Sequence, residues 1–146
     1  MEELQKASKV AFASTFSFYL KAQNFHWNVE GIHFKQFHDF FGGIYEEVYG
    51  SIDTFAEEIR GMGTYAPASY QRFSMLTQID DETDILPPEA MVAELLEDNE
   101  KMIKIFKLVF QLSEKNGEYG FSDFIAGRID AHRKHGWMLR ATAKNG

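Results

Sequence analysis

Apolar residues recur at spacings of three and four along four separate stretches of the chain, the pattern of helices that turn one face to a core. Residues from about 2 to 27 carry Val10, Phe12, Phe16, Phe18, Tyr19 and Leu20 without Gly or Pro, which predicts a first helix. Asn28–Gly31 reads as a turn. From His33 to about Met62 the stripe runs through Phe34, Phe37, Phe41, Ile44, Val48, Ile52, Phe55 and Ile59, predicting a second helix of about seven turns. Gly42 and Gly43 fall inside it, each costing about 1 kcal/mol relative to Ala, so a kink or a close approach is expected there. Gly61–Leu86 is irregular, with a short helix expected after Pro67. A third long helix opens at Pro87-Pro88-Glu89 and runs to about Glu114 through Met91, Leu95, Met102, Ile105, Phe106, Val109 and Phe110. Asn116-Gly117 breaks it. The fourth runs from about Phe121 to Ala143 through Phe124, Ile125, Ile129, Trp137 and Met138. No strand alternation and no repeat of fixed period is found. The expectation is an all-α four-helix bundle in a single domain spanning 1–146, with a long crossover between helices two and three.

Composition narrows the chemistry. The 146 residues suit one core. There is no Cys, which removes disulfides, thiolate metal sites and cysteine nucleophiles and fits a reducing compartment. Met1-Glu2-Glu3 has no basic run leading an apolar one, so a secretory signal is not expected. No apolar stretch approaches the ~20 residues that span a bilayer. The expected location is the cytoplasm. With 15 Lys+Arg against 22 Asp+Glu the net charge is −7, which disfavours nucleic-acid binding through overall charge and suits cations.

Metal ligands must then come from the five His and the carboxylates. His26, His38, Asp53 and Glu57 form the candidate set. Asp53 and Glu57 stand one helical turn apart, and His38 falls within ~60° of Asp53 in azimuth. Along the axis, however, His38 and Asp53 are separated by ~22 Å, while ligand bonds span only ~2 Å. One straight helix cannot bring both to a single ion. Two such helices packed antiparallel about a twofold axis near Tyr45–Glu46 would, and a symmetric dimer would then hold two equivalent mixed sites. His26 could reach the same place. Imidazole with carboxylate suits Fe(II), Zn(II) or Mn(II) alike, and a solvated charged face, with Glu58 and Arg60 beside the pair, is the plain alternative.

The run His26-Trp27-Asn28-Val29-Glu30-Gly31, with Phe34, His38, Tyr45, Asp53-Thr54-Phe55-Ala56-Glu57-Glu58-Ile59-Arg60 and Gly63, resembles the signature of the Dps family, the mini-ferritins. Trp137-Met138-Leu139-Arg140 resembles the family's last helix. The similarity covers most of the chain, the third long helix matching only in pattern. It implies a ferritin-like bundle and a shell of twelve subunits with ferroxidase centres at twofold interfaces. There Fe(II) would be oxidised, hydrogen peroxide being the preferred oxidant, and ferric mineral (Fe3+) stored inside, protecting the cell from oxidative damage. On this match His26 and His38 come from one subunit, Asp53 and Glu57 from its partner, and Glu57 bridges where two irons bind. Trp27 would stand beside the site to intercept oxidising equivalents, or simply pack in the core. Glu118 and Asp123 would line threefold entry pores, or simply be a solvated helix start.

Two departures qualify the match. The family's acidic residue one turn after the second His is here Gly42, so a second iron should bind weakly, or through water or Glu46. The Lys/Arg-rich tail of DNA-binding members is not matched, Lys6, Lys9, Lys134, Arg140 and Lys144 forming none, so DNA binding is not expected. A structural shell or DNA-associated protein with ferroxidase activity crippled by Gly42 is the competing reading, and a metal-free helical module a third. Glu30-Gly31-Ile32-His33 imitates a Glu-x-x-His ligand pair but crosses a turn. His132 and His135 could bind a surface metal, although exposed helix polarity is their expected role. Met91 and Met102 fit core packing.

Overall fold

The computed structural model describes residues 1–144, and six helices occupy them: α1 (Glu2–Asn28), α2 (Phe34–Gly50), α3 (Ile52–Gly61), α4 (Tyr70–Leu76), α5 (Pro88–Lys115) and α6 (Tyr119–Ala143). No strand occurs among the described residues. Four rods form the bundle: α1, the α2–α3 pair, α5 and α6. α1 lies against α2, α3, α4 and α5, and α5 against α6. The crossover carries the short α4, as the sequence predicts.

The stripes expected on α2–α3 and α5 largely build the core, whereas on α1 only Phe12 and Phe18 of the expected positions are buried and Leu20 is exposed, and on α6 Trp137 is exposed. Leu4, Ala11, Phe18, Ala22 and Phe25 of α1 are buried with Phe41, Ile44, Val48, Phe55 and Ile59 of α2–α3 and Met91, Leu95, Met102, Phe106 and Val109 of α5. Met91 and Met102 fill this core, as expected. Phe55 is its hub, meeting Phe12 edge-on at 5.4 Å and lying 5.4–6.4 Å from Phe124, Phe121 and Phe106. Edge-to-face contacts of this kind add about 0.5–1.5 kcal/mol each beyond the area they bury. The crossover is fastened to α1 by the stacked Phe16–Phe73 rings at 4.5 Å and by Ser14, whose hydroxyl accepts from the Gln78 amide at 3.0 Å.

The second rod departs from the expected continuous helix. It breaks at Ser51, not at Gly42-Gly43. Ser51 Oγ donates to the Val48 carbonyl at 2.6 Å and its amide reaches the same carbonyl at 3.1 Å. That tightens the last turn of α2 and restarts the helix at Ile52, and Gly-Ser pairs are a recurrent cause of such breaks. The turn after α5 follows helix-end chemistry. Gly117 takes φ 71°, its amide bonding Glu114 O and the next amide bonding Ser113 O, a Schellman closure that favours glycine.

Candidate metal centre

His26 closes the last turn of α1 and His38 lies on the second turn of α2, across the Val29–His33 link. Their side chains engage reciprocally. His26 Nδ1 meets the His38 carbonyl and His38 Nδ1 meets the His26 carbonyl, both at 2.6 Å. A carbonyl oxygen can only accept, so each Nδ1 carries the proton, and the lone pair of each ring is left on Nε2. The rings stack at 3.8 Å between centroids, 16° from parallel, with Phe34 stacked on His38 at 5.0 Å and Tyr45 5.2 Å from His26. A backbone carbonyl fixing the tautomer while Nε2 stays free is the usual support for a metal-binding imidazole. The donor chemistry therefore fits a divalent transition metal.

Asp53 and Glu57 lie on α3, both exposed. A hydrogen bond with Asp53 raises the Glu57 carboxyl above its ordinary range, and the Asp53 charge adds to this. Two carboxylates this close favour a proton between them, and a cation satisfies the same demand. The structure thus brings the four candidates together as two pairs, imidazoles on α1–α2 and carboxylates on α3. Among the described residues of one subunit no three His, Asp or Glu converge as a metal-holding group.

The remaining candidates fall as follows. Trp27 is 61% exposed beside the histidine pair, which removes the core-packing role. Glu46 is exposed on α2, Glu118 precedes α6 and Asp123 is exposed in its second turn. Glu30 and His33 lie in the link between α1 and α2, so no Glu-x-x-His pair shares a helix face.

His132 and His135 correct the expectation of exposed polarity. Both are buried. His132 Nδ1 donates to Asn99 Oδ1 at 2.7 Å, and Asn99 Nδ2 donates back to the His132 carbonyl at 2.8 Å. His135 Nε2 donates to Glu47 Oε1 at 2.8 Å, and Arg128 grips both Glu47 oxygens at 2.6 and 3.0 Å. Burial works against the Glu47 charge, but the bonds from His135 and Arg128 hold its carboxyl far below the usual range. A second polar cluster ties α1 to α5, Lys21 standing 2.7 Å from Asp98 and 3.2 Å from Glu94. Sequence reasoning missed both clusters, although the signal was there. Lys21 lies between Phe18 and Phe25 on the apolar stripe of α1, and Phe121, Ile125, Arg128, His132, His135 and Leu139 alternate by four and three along α6.

Comparison with known proteins converges on one family. The ferritin family, described as a ferritin-like domain, matches residues 9–146. DNA protection during starvation protein 2 of Bacillus anthracis is 30% identical over 123 residues, 84% of each chain. Antigen TpF1 of Treponema pallidum is 32% identical over 127 residues, 86% of this chain and 72% of that one. The crystal structure of that antigen superposes with a TM-score of 0.94 over 99% of this chain and 93% of its own, at 28% identity. Dps from Thermosynechococcus elongatus shares the fold with a TM-score of 0.96, covering 99% of this chain and 92% of that one at 22% identity. The chain belongs to the Dps family of the ferritin-like superfamily.

Proposed function

We propose that this protein is an iron-oxidising, iron-storing mini-ferritin. Fe(II) is its substrate, held between His26 and His38 of one subunit and Asp53 and Glu57 of the twofold partner. Hydrogen peroxide is the oxidant, and the ferric product collects inside a shell of twelve subunits, which keeps iron and peroxide from generating radicals. In the overall reaction two Fe(II) give up one electron each, and peroxide takes both with two protons to leave two waters. The family supports iron storage and protection in general. The observation that carries the finer reading is the reciprocal bonding of His26 and His38, which leaves two Nε2 lone pairs free while both Nδ1 protons are committed to carbonyls. Carboxylates supply the negative charge that a cation needs, and the net charge of −7 favours cation approach. Placement and charge are the protein's contribution, and the redox chemistry is iron's. Glu118 and Asp123 fit a role in leading cations inward, and exposed Trp27 fits interception of stray oxidising equivalents.

The test is to load the metal-free shell with Fe(II) under anaerobic conditions, add peroxide stoichiometrically and follow ferric absorbance. His38→Ala and Asp53→Ala should each abolish the fast phase with the shell intact. Equal rates in wild type and variants would end the proposal. Gly42 favours one competing reading, a shell with weakened oxidation, and that reading requires the wild type itself to show no fast phase.

A further inference from the structure

We infer that Gly42 is the seat of the His26 imidazole, a positioning residue whose lack of a side chain keeps that ring in its metal-binding pose. This rests on the reading of His26 as a ligand. A Cβ built on Gly42 would lie 2.9 Å from both Cε1 and Nδ1 of His26 and 3.8 Å from its Cγ. Ordinary carbon contacts begin near 3.5 Å, so the carbon and the ring cannot both stay where they are. A free side chain would swing aside at little cost. This ring is not free. Its Nδ1 is bonded to the His38 carbonyl at 2.6 Å, and His38 stacks on it at 3.8 Å. Moving it breaks that bond and opens the stack.

The neighbouring glycine shows that this is a property of position 42. A Cβ on Gly43 meets nothing within 4 Å, and Gly43 is exposed where Gly42 is buried. Both glycines weaken the middle of α2 to a similar degree, but only the first is required by what packs on it. The consequence is counter-intuitive. Position 42 lies one turn after His38, where a carboxylate would ordinarily be the natural addition to a metal site. In this chain that carboxylate would evict His26. The half-site therefore offers two imidazole nitrogens and no acid of its own from position 42.

The experiment uses the assembled metal-free protein, with Co(II) alone as the probe, in wild type, Gly42→Ala, Gly42→Asp and Gly43→Ala. Gly42→Ala should lose roughly 10–100-fold in Co(II) affinity, the range seen when the support of a metal-binding His is disturbed. Gly42→Asp should bind no more tightly than Gly42→Ala, and Gly43→Ala should match wild type, all with the same oligomeric state. Metal-free crystal structures of the alanine variants give a readout independent of binding. The His26–His38 stack should open in Gly42→Ala and persist in Gly43→Ala. An unchanged ring pair in Gly42→Ala, or tighter cobalt binding by Gly42→Asp than by wild type, overturns the inference. If the wild type binds no cobalt while the ring pair opens only in Gly42→Ala, the seat stands and the metal reading of His26 fails.

Discussion

The histidines of this molecule occupy two opposed environments, set apart by burial. His26 and His38 are half-buried, with Nε2 free. His132 is fully enclosed between Phe18 and Phe106, and burial pushes its pKa well below the ordinary value, helped by Arg128 and His135 and opposed by Glu47. Its ring stays neutral through the physiological range. In the unfolded chain the same ring takes a proton below about pH 6.5. The folded pKa is the lower one, so the contribution to stability is complete above the unfolded value of about 6.5. It is lost as pH falls below it, at about 1.4 kcal/mol per pH unit for one such group. Urea midpoints at pH 7.5 and 5.5 check this: the wild type should lose more stability between them than His132→Gln, which has nothing to titrate. Equal losses would mean that the ring protonates freely within the fold. Glu47 acts lower, since its depressed carboxyl supports the fold above the usual carboxylate range and releases that support only in stronger acid. Little of this was legible from residue type. The four-three alternation that carries His132 and His135 was legible, but a histidine on a mixed helix reads as solvated until its neighbours are known. Gly42 was similar: its oddity was visible, its cause was not, because the ring resting on it comes from another helix.

At the scale of the element, charge inside the bundle acts as a clamp between rods. Burial works against the Lys21 ammonium, but Asp98 and Glu94 more than offset it and raise its pKa. Lys21 and Asp98 are both buried, so removing one partner strands the other. Lys21→Met should destabilise the protein by roughly 3–5 kcal/mol, whereas pairing it with Asp98→Leu should recover most of the loss, because an apolar pair of similar size replaces a buried ion pair at little cost. Thermal unfolding of the single and double variants decides it; a double variant as weak as Lys21→Met would mean that the clamp holds more than its own two charges. The four rods themselves were legible because each carries an unbroken stripe at helical spacing. The break at Ser51 was not, because Val48, Ile52 and Phe55 keep that spacing straight through it. Periodicity reports which face is buried and is blind to a hydrogen bond such as Ser51 to Val48 that interrupts the helix.

At the scale of the whole molecule, the separation of the two half-sites makes a prediction that a single subunit cannot satisfy. The imidazoles lie where α1 ends and α2 begins and the carboxylates on α3, beyond the break, and among the described residues no three of these groups converge within a chain. Tyr49, Trp27 and Tyr70 expose aromatic surface on the same helices and the crossover, the kind of surface a partner copy covers. If the site is shared across a twofold axis, subunits that are each inactive should rescue one another. In a dimer of His38→Ala with Asp53→Ala, one interface site combines both lesions. The other joins intact histidines to intact carboxylates. Random co-assembly of equal amounts makes half of the dimers mixed, so roughly a quarter of all sites regain a full ligand set, as twofold symmetry requires. Unfolding the two variants together and reassembling them should therefore restore about a quarter of the wild-type fast phase of iron oxidation, while shells assembled separately and then mixed should restore none. Sites built within one chain would give no rescue in either case, and that result would remove the dimer interface from the proposed mechanism.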